Sequence, residues 1–553
     1  MNPPSVAGSC PALVVGAGPV GLTLAAHLHH HGLPCRIIDR APAPSDKSKA
    51  LVLWGRSLEM LDDLGIAEDF LRAGVFLNAA HLHSGARSLA RIQFMLEGTE
   101  YPRPFMLAQS ETERLLAEYL QRVGIEVERR VELTSFTEQG ERVVATLRHA
   151  EGREEQIGCD WLLGCDGAHS TVRHLLKMDF TGEAEQNDFI LADCRVEGSL
   201  PLDELSLFWH HKGVLAFFPF AAGRCRIIAD MGTARTTDRP PEPSLSDVQN
   251  IVNERGPTGV RLSEPHWLAG FRIHERKVAE YRRGRVFLAG DAAHIHSPAG
   301  GQGMNTGMQD TWNLAWKLAL VQKGRGRPSL LDSYTIERSA VGEIVLRNAT
   351  RLTRVATLRN PLGQFFRNRL VEILGKLSSF RRNFVRDLTE MSIHYPNSPL
   401  NGEFSALRWA SGSNRPGDRF PEARLREPGT GREQRLLILL RGPQHNLLLV
   451  SPVTDAYALK GLNDIRRQVE EAYPNLIRAH LIVSGDSLPQ EAASFDSVWL
   501  DPSGSVGQAL GSQSLALALV RPDGYLGSRC QPAMWDPLRE SLDRYLIAGQ
   551  AKS

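Results

Sequence analysis

The chain contains 553 residues, of which 42% are hydrophobic and 23% are charged, proportions that are ordinary for a soluble globular protein. Its 64 basic and 63 acidic residues almost cancel, so the net charge gives no reason to expect nucleic acid or an anionic membrane as a partner. The length predicts roughly two to four domains, and no apolar run approaches the roughly 18 residues that a membrane span needs.

The cysteines favour a reducing compartment. All seven are scattered, without a C-x-x-C pair and without the Cys/His spacing of a zinc site, so we expect no metal. The first ten residues are polar and lead directly into a strand, which is not typical of a secretory signal peptide. These features predict a cytoplasmic protein without a stable membrane association.

The first predicted element is an apolar strand over residues 12–15, which ends in the glycine turn GAGPVG at residues 16–21. A helix follows to about His31, and a second strand over residues 35–39 ends in an acid. Strand, glycine turn, helix, strand and acid in this order form the dinucleotide-binding fingerprint.

Each residue of the fingerprint has a physical task. Gly16 makes the tight turn, Gly18 lets a pyrophosphate approach the backbone, and Gly21 lets helix and strand pack closely. Asp39 is placed to accept hydrogen bonds from ribose hydroxyls, and we include the adjacent Arg40 in the predicted cofactor site. A glycine-rich turn in any α/β protein is the alternative interpretation.

Two later polar residues are candidates for the same ligand. Arg56 opens a predicted helical segment and Gln109 begins another. Arg56 is expected to pair with the pyrophosphate, and Gln109 is expected to hydrogen-bond the ligand. A solvated surface position is the alternative for each.

A buried strand over residues 161–165 leads into the motif DGAHSTVR at residues 166–173. Asp166 begins a turn, Ser170 is the predicted N-cap of a helix, and Arg173 lies in the first turn of that helix. Asp-Gly turns are common, so this motif is weak evidence by itself.

Residues 181–275 have the character of antiparallel β-structure. Three short strands separated by glycine-containing turns are predicted there: residues 205–210, 214–220 and 225–231. Phe218 and Phe220 share a face, while Pro219 limits its strand to an edge or a bulge. Together with Trp209, these rings are candidates for the wall of an aromatic-sized pocket, and ordinary sheet core is the alternative.

The most informative stretch is VFLAGDAAHIHSPAGGQGMNTGMQDTWNLAWKLA at residues 286–319. A short apolar strand breaks at Asp291, a loop rich in glycine follows, and then a helix begins. This arrangement aims backbone N–H groups and a helix dipole at an electron-rich ligand.

The segment from 329 to about 390 reads as helices. Residues 351–386 interleave many arginines with Leu, Phe and Val. A helical cover with a solvated basic face is the favoured interpretation, and a membrane-surface helix is the alternative.

A domain boundary is predicted near residue 400, and a small α/β domain follows it. Its predicted strands are residues 436–440, 446–450, 479–483 and 516–520, and its predicted helices lie around residues 460–472 and 533–547.

Three motifs together resemble those of the FAD-dependent aromatic hydroxylases, the single-component (class A) flavoprotein monooxygenases that include phenol hydroxylase-like enzymes. They are GAGPVG at 16–21, CDGAHSTVR at 165–173 and GDAAHIHSPAGGQGMNTGMQD at 290–310. Their order and spacing are similar too, and the resemblance covers roughly residues 10–390.

The resemblance implies an α/β fold in which a Rossmann-like FAD-binding domain carries an inserted antiparallel β-sheet domain for the substrate. GDRFP at 417–421 and VRPDGYLGSR at 520–529 look like parts of an appended thioredoxin-like domain, in which the lack of C-x-x-C makes thiol–disulfide chemistry unexpected. The predicted divisions are 1–180 for the first part of the FAD-binding domain and 181–275 for the substrate sheet. Residues 276–400 are predicted to form the return of the FAD-binding domain with covering helices, and 401–553 the C-terminal domain.

The resemblance also implies roles for individual residues. The glycine turn and Asp39 would hold FAD, and Arg56 and Gln109 match positions that contact its phosphate or ribityl region. Asp166 matches a motif implicated in FAD and NAD(P)H binding, and Asp291 would bond the ribityl chain. The loop that would line the isoalloxazine ring supplies Pro298, Gly301, Gly303, Met304 and Asn305.

The chemistry implied by the resemblance starts when NAD(P)H reduces FAD and O₂ adds at the flavin C4a. The terminal oxygen of the hydroperoxide is then transferred to a small aromatic substrate, and water leaves. The helix N-terminus near Met304 and Asn305 would stabilise negative charge on the reduced flavin. A phenolic substrate also requires a base or proton relay beside its hydroxyl.

The chain departs from the phenol hydroxylase-like pattern at two positions. An aspartate expected a few residues before Arg56 is absent, and Phe271 stands where a tyrosine is expected. A larger or polycyclic aromatic is therefore at least as plausible as a simple phenol. The candidates for catalysis are His210, His211, His296 and Pro298, with surface positions as the alternative for the histidines. The candidates for substrate contact are Trp209, Phe218, Phe220, Phe271 and Pro298.

Two other functions remain open at this point. A Baeyer–Villiger-type oxygenase has the same fold, and a flavin-binding protein without turnover belongs to a different class. The sequence lacks the W-x-W-x-I-P segment of flavin-dependent halogenases. It does not decide between a monomer and a homodimer.

Overall fold

The computed structural model describes residues 8–221, 223–234, 240–452, 456–488, 492 and 494–549. Side chains are described for all of these except 184–186 and 456. Residues 1–7, which belong to the segment that argues against a secretory signal, lie outside this range. None of the described helices is both long enough and apolar enough to cross a bilayer.

The described residues form both helices and strands. The α-helices are α1 (Pro19–His30), α2 (Gly55–Asp63), α3 (Ala67–Ala73), α4 (Gln109–Arg122), α5 (Thr171–Leu175), α6 (Leu245–Arg255), α7 (Gly303–Gln322), α8 (Asp332–Ala356), α9 (Pro361–Leu374), α10 (Ser378–Leu388), α11 (Leu436–Leu439), α12 (Ala456–Ala472), α13 (Ser505–Leu510) and α14 (Trp535–Asp543). The strands are β1 (Gly8–Val15), β2 (Cys35–Asp39), β3 (Val52–Leu53), β4 (Val75–Phe76), β5 (Ala79–Ser84), β6 (Arg87–Gln93), β7 (Phe105–Met106), β8 (Val127–Arg129), β9 (Val131–Gln139), β10 (Arg142–His149), β11 (Glu154–Gly164), β12 (Thr181–Glu197), β13 (Glu204–His210), β14 (Gly213–Ala221), β15 (Arg224–Thr233), β16 (Arg261–Lys277), β17 (Arg282–Arg283), β18 (Val286–Leu288), β19 (His294–Ile295), β20 (Gly402–Ser405), β21 (Arg424–Arg426), β22 (Glu433–Arg435), β23 (His445–Ser451), β24 (Ile477–Ser484), β25 (Val498–Asp501), β26 (Ala516–Val520) and β27 (Leu526–Gln531).

A largely parallel sheet carries the three glycine-containing motifs. Its main strand order is β17-β18-β11-β1-β2-β8, and β1 lies between its parallel partners β2 and β11. β18 is parallel to β11. The central strands are buried apolar runs, as parallel strands covered on both faces require. Because parallel strands end at the same edge, the loops after β1, β2, β11 and β18 converge there.

A second sheet forms the wall opposite that edge, in the order β19-β16-β12-β15-β14-β13-β5-β6. The predicted strands within residues 181–275 are all present, and the sheet also takes up β5 and β6 from residues 79–93, which pair beyond β13. Pro219 lies in β14 beside a register shift between Pro219 and Ala221. The predicted bulge is therefore confirmed, although β14 is flanked by strands on both sides.

The C-terminal part is an α/β unit, as the sequence predicts. Its sheet runs β20-β27-β26-β23-β24-β25-β21-β22, with β23, β24 and β25 parallel and β26 antiparallel to β23. Residues 436–440 were expected to form a strand, but residues 436–439 form the short helix α11. The thioredoxin-like nature of this unit stays a prediction.

A buried ionic network fastens this unit to the part of the chain that carries the glycine-containing motifs. The Glu337 carboxylate on α8 accepts hydrogen bonds from Arg521 at 2.7 and 3.0 Å and from the Lys317 ammonium of α7 at 2.7 Å. Asp523 binds Arg521 and accepts from the indole N–H of Trp316 at 3.2 Å. All these side chains are buried. Charges removed from water remain ionised only when they are paired in this way.

Replacing Glu337 with Gln leaves Lys317 and Arg521 without their shared counter-charge. We expect a loss of about 3–5 kcal/mol in the free energy of unfolding, which lowers the thermal midpoint by on the order of 10 °C. Glu343→Gln, on the exposed side of α8, is the control and should stay within about 0.5 kcal/mol of the wild type. Circular dichroism melts measure both variants, and equal midpoints would contradict the role assigned to the network.

Candidate active site

One cavity of about 430 Å³ lies where the loops of the parallel sheet face the antiparallel sheet. It brings the three distant glycine-containing motifs together. The predicted cofactor residues in its lining are Gly16, Gly18, Asp39, Arg40, Gln109, Asp166, Asp291, Pro298, Gly301, Gly303 and Met304.

The turn after β1 is built for close approach. Gly16 has φ +102°, and a Cβ atom there would lie 2.5 Å from the carbonyl oxygen of Cys165. A Cβ atom at Gly21 would lie 1.8 Å from the Gly16 carbonyl oxygen, so only glycine lets α1 pack here. In contrast, a Cβ atom at Gly18 would meet no protein atom within 4 Å. That open space faces the cavity beside the N-terminus of α1, a position that suits an anion.

Asp39, at the end of β2, shapes the same turn. One carboxylate oxygen accepts from the backbone N–H of Ala17 at 2.7 Å, and the other accepts from Ala41 at 2.7 Å. Arg129 approaches the same carboxylate at 3.7 Å. Asp39 is half-buried and lines the cavity, so it joins the two strand ends while it remains accessible to a ligand.

Asp166 is held by the start of α5. Ser170 donates its hydroxyl to one oxygen at 2.5 Å, and the backbone N–H of Val172 donates to the other at 3.1 Å. Ser170 accepts from the Arg173 N–H, which confirms the predicted N-cap. Burial raises the pKa of the Asp166 carboxyl group. Arg173 also donates to the Ala292 carbonyl at 3.0 Å and so ties this motif to the next one.

Asp291 follows β18 and is exposed to the cavity. The surrounding protein shields the Asp291 carboxyl group from bulk water, and this desolvation raises its pKa above the ordinary value. Within the described part of the chain, its carboxylate receives no side-chain or backbone hydrogen bond that would compete with a ligand.

The loop after Asp291 is fixed from behind. Asn305 accepts from the Trp54 N–H at 2.9 Å and donates to the carbonyls of Val52 and Gly301, both at 2.9 Å. Asn305 is buried and does not line the cavity. Its amide is used to hold the loop, and the expected contact between Asn305 and the flavin stays a prediction.

His296 is the one predicted catalytic histidine that the fold brings to the cavity. Its Nδ1 lies 2.9 Å from the Ser297 carbonyl oxygen. A carbonyl only accepts, so Nδ1 carries the proton and Nε2 has the lone pair. Nε2 is buried with no hydrogen-bond partner among the described residues. Burial lowers the pKa of His296 to about 4, so the ring is neutral near pH 7.

Phe218 and Pro298 also line the cavity. The other predicted catalytic and substrate residues lie outside its lining. His210 and His211 are at the β13–β14 turn, outside the lining. Trp209 is buried under the guanidinium of Arg367 at 4.1 Å. Phe220 packs on the apolar cluster of Leu51, Leu77 and Met106, and Phe271 stacks on Phe189 with ring centres 5.6 Å apart. These aromatic residues pack within the protein, and their expected contact with a substrate stays a prediction.

Arg56 lies away from the cavity lining, and its expected contact with FAD stays a prediction. It is buried, donates to Glu59 at 3.0 Å and to the Asp523 carbonyl at 2.5 Å, and lies over the rings of Trp312 and Tyr525 at 4.4 and 4.7 Å. Its guanidinium therefore serves the contact with the C-terminal unit and does not line the cavity.

Two cations that the sequence analysis missed line the cavity instead. Lys49 is exposed there. Arg226 of β15 is buried, pairs with Asp193 at 2.7 Å and donates to the Lys49 carbonyl at 3.0 Å. No local motif marks either residue. Gln109 does line the cavity, but its amide already binds Ala50 at 3.1 Å and Glu113 at 2.8 Å.

The residues present fit a flavin dinucleotide. The open space at Gly18 before a helix N-terminus suits a pyrophosphate, and Lys49 adds a positive charge. Asp39 suits ribose hydroxyls, and Asp291 offers a free acceptor. The apolar part of the lining is formed by Val52, Met106, Phe218 and Ile228, and Arg226 lies opposite Phe218 in the same sheet.

Comparisons with known proteins agree with this geometry. A family model described as "FAD binding domain" matches residues 9–349. The chain is 34% identical to 6-methylpretetramide 4-monooxygenase of Streptomyces rimosus, over 94% of this chain and 90% of that protein. It is 30% identical to pentachlorophenol 4-monooxygenase of Sphingobium chlorophenolicum, over 99% and 98%. The solved structure of the anhydrotetracycline hydroxylase OxyS from Streptomyces rimosus superposes with a TM-score of 0.75 at 27% identity, over 97% and 99% of the two chains.

The space at Gly18 allows a clean test of the cofactor site. Gly18→Ala places a methyl group where no protein atom lies within 4 Å, so we expect an unchanged thermal midpoint of the apoprotein. FAD affinity, measured by quenching of flavin fluorescence, should fall at least about tenfold, equivalent to about 1.4 kcal/mol, because the methyl group occupies the space of the pyrophosphate. Gly461→Ala, also in open space, is the matched control. Unchanged FAD affinity in Gly18→Ala would place the pyrophosphate elsewhere.

Proposed function

Because this chain belongs to the FAD-binding-domain family of flavin-dependent aromatic monooxygenases, we propose that it hydroxylates a fused-ring phenol with NAD(P)H and O₂. The observation that carries this proposal is the single cavity described above. Its polar end collects the glycine turn, Asp39 and Asp291, while its apolar end is walled by the antiparallel sheet.

In this proposal the chain binds FAD along the carboxyl edge of the parallel sheet. Gly16 and Gly18 would face the pyrophosphate, with Lys49 as a cation in the same cavity, and Asp39 would bind the adenosine ribose. Asp291 would accept from the ribityl hydroxyls. The loop with Pro298, Gly301, Gly303 and Met304 would hold the isoalloxazine ring.

When bound, FAD takes a hydride from NAD(P)H and uses O₂ to place one oxygen atom on the aromatic ring, while the other oxygen leaves as water. The protein orients the ring, excludes water and stabilises charge. The N-terminus of α7, at Gly303, directs its unpaired backbone N–H groups and positive dipole end at the loop, where they favour negative charge.

His296 positions and polarises the substrate hydroxyl. His296 lines the cavity, and its buried Nε2 has no hydrogen-bond partner among the described residues, so a phenolic O–H is a suitable donor to it. With a pKa of about 4, the imidazole accepts a hydrogen bond but does not hold a proton near neutral pH. It therefore increases the electron density of the phenol through the hydrogen bond while the ring stays neutral.

The apolar end favours more than one ring. Met106, Phe218 and Ile228 offer hydrophobic surface and no charge, and each Å² of apolar surface removed from water contributes about 25 cal/mol. Two relatives named above act, by their names, on compounds related to tetracyclines. A halogenated single-ring phenol, the substrate in the name of another relative, is the competing choice.

A cytoplasmic location is part of the proposal. All seven cysteines are free thiols, which suits a reducing compartment, and NAD(P)H is supplied there.

The substrate class is tested by NAD(P)H oxidation over a panel of phenols with one to four rings, coupled to product mass. We expect fused-ring phenols to stimulate oxidation at least about tenfold more than single-ring phenols, with a gain of one oxygen as a hydroxyl group. Phe218→Ala should raise KM for the fused-ring compound, whereas Phe271→Ala, outside the cavity, is the matched control. Preference for a single ring, or a ring-expanded product, would count against the proposal.

The role of His296 is tested by His296→Leu, with His210→Leu as the control outside the cavity. Leucine has no hydrogen-bond acceptor, so kcat with a phenolic substrate should fall by about tenfold to a hundredfold, while FAD content stays unchanged. Since its pKa lies near 4, the ring is deprotonated above about pH 5. The wild-type pH profile should then show no histidine limb near pH 6.5. An unchanged kcat in His296→Leu would exclude this role.

A further inference from the structure

Helix α9 presents an apolar face to solvent. Leu362, Phe365 and Phe366 are 72%, 65% and 67% exposed, and Leu370 and Ile373 are 54% and 52% exposed. Residues spaced by three, four, seven, eight and eleven positions lie on one side of a helix, so these five side chains form one stripe. A contiguous exposed stripe of large side chains marks an interaction surface.

The inner face of α9 has the opposite character. The residues of α9 that are buried are Arg367 and Glu372. Arg367 lies over the Trp209 ring at 4.1 Å and donates to the Val355 carbonyl at 3.0 Å. Asn368 donates to Ser84 at 3.0 Å. These polar contacts fix the rotation of the helix, so the apolar stripe is directed outward by the fold itself.

Basic side chains are concentrated in the segment that contains the stripe. Residues 351–386 contain nine basic residues and one acidic residue, whereas acidic residues outnumber basic ones in the rest of the chain. Several of the basic side chains make no ion pair within the described residues and are exposed or half-exposed: Arg351, Arg354, Lys376, Arg381, Arg382 and Arg386. The expected helical cover with a solvated basic face is therefore only half right, because the outward face of α9 is apolar.

We propose that the outward face of α9 and α10, which we call the α9–α10 face, binds the surface of an anionic phospholipid membrane. The aromatic and aliphatic side chains enter the boundary between headgroups and acyl chains, and the basic side chains meet the lipid phosphates. A second copy of this chain is a poor occupant of the same face, because two surfaces of high positive charge would be brought together.

The α9–α10 face is continuous with the flavin loop. Gln302, directly before α7, donates to the backbone carbonyls of Asp387 and Leu388 at the end of α10, at 3.2 and 3.3 Å. On the other side, α9 covers β6 and Trp209 of the substrate sheet. Membrane docking therefore brings the cavity to the place where an apolar substrate partitions. This last step rests on the proposed function, whereas docking itself does not.

The test is flotation of the full-length holoenzyme with vesicles made of equal parts phosphatidylcholine and phosphatidylglycerol, compared with vesicles of phosphatidylcholine alone. We expect binding to the anionic vesicles, weaker binding as salt rises, and much less binding to the neutral ones. Phe365→Ser combined with Phe366→Ser should abolish it. Arg381→Gln combined with Arg382→Gln should weaken it by about fivefold for each charge removed.

The matched controls remove apolar or charged side chains from surfaces outside the α9–α10 face. Leu407→Ser removes an exposed apolar side chain, and Lys460→Gln with Arg467→Gln removes two exposed charges from α12. These variants should bind vesicles like the wild type. All substituted side chains are solvent-exposed or half-exposed, and circular dichroism verifies that each variant folds.

Three results would overturn the proposal: no vesicle binding by the wild type, equal binding to both vesicle types, or unchanged binding by the phenylalanine variant. A dimer, measured by light scattering, that dissociates in the phenylalanine variant would instead assign the face to a second copy. Turnover does not enter the assay, so failure of the proposed substrate leaves this test intact.

Discussion

The burial of charged side chains on helix α7 is the constraint on which the rest of the structure depends. α7 is buried along almost its whole length, yet it carries Asp310, Asn313 and Lys317 on one side. Each needs a partner, because an unpaired charge in the interior costs several kcal/mol. Asp310 receives the Gly290 N–H at 3.0 Å, His294 at 2.8 Å and Arg338 at 2.7 Å.

These partners come from three parts of the molecule. Gly290 and His294 begin the loop that lines the cavity, while Arg338 belongs to α8. Seven residues further along α7, Lys317 joins Glu337 and, through it, Arg521 of the C-terminal unit. One buried network thus holds both the cavity loop and the C-terminal unit in place. This explains why Arg56, with its guanidinium between Trp312 of α7 and Tyr525, belongs to that contact.

Helix α9 shows the reverse arrangement. Its charged Arg367 lies inside, under polar and aromatic partners, and its phenylalanines lie outside. In α7 the fold buries charge and supplies the partners for it. In α9 the fold leaves apolar surface without a partner among the described residues. Both helices combine apolar with charged residues, but only the contacts distinguish a satisfied interior from an open surface.

Much of the fold was predictable because its signals are local. Apolar runs followed by glycine turns predicted β1, β11 and β18, and the strand that ends in Asp39 predicted β2. The capping role of Ser170 followed from its position before α5. Other features depend on partners far along the chain. The pairing of β5 and β6 with β13 could not be read from residues 79–93 alone, and the apolar run at 436–439 forms a helix where a strand was expected.

The amino-acid sequence by itself determined the cofactor class, since glycine turns at strand ends let a dinucleotide approach the backbone closely, and the resemblance of its three motifs to those of aromatic hydroxylases gave the reaction class. Tertiary structure decided which side chains reach the cavity. It selected His296 over His210 and His211, Phe218 over Phe220 and Phe271, and Lys49 and Arg226 over Arg56. The physical reason is that backbone motifs act through local conformation, which sequence encodes directly. Which side of a strand or helix faces a cavity depends on packing against segments hundreds of residues away.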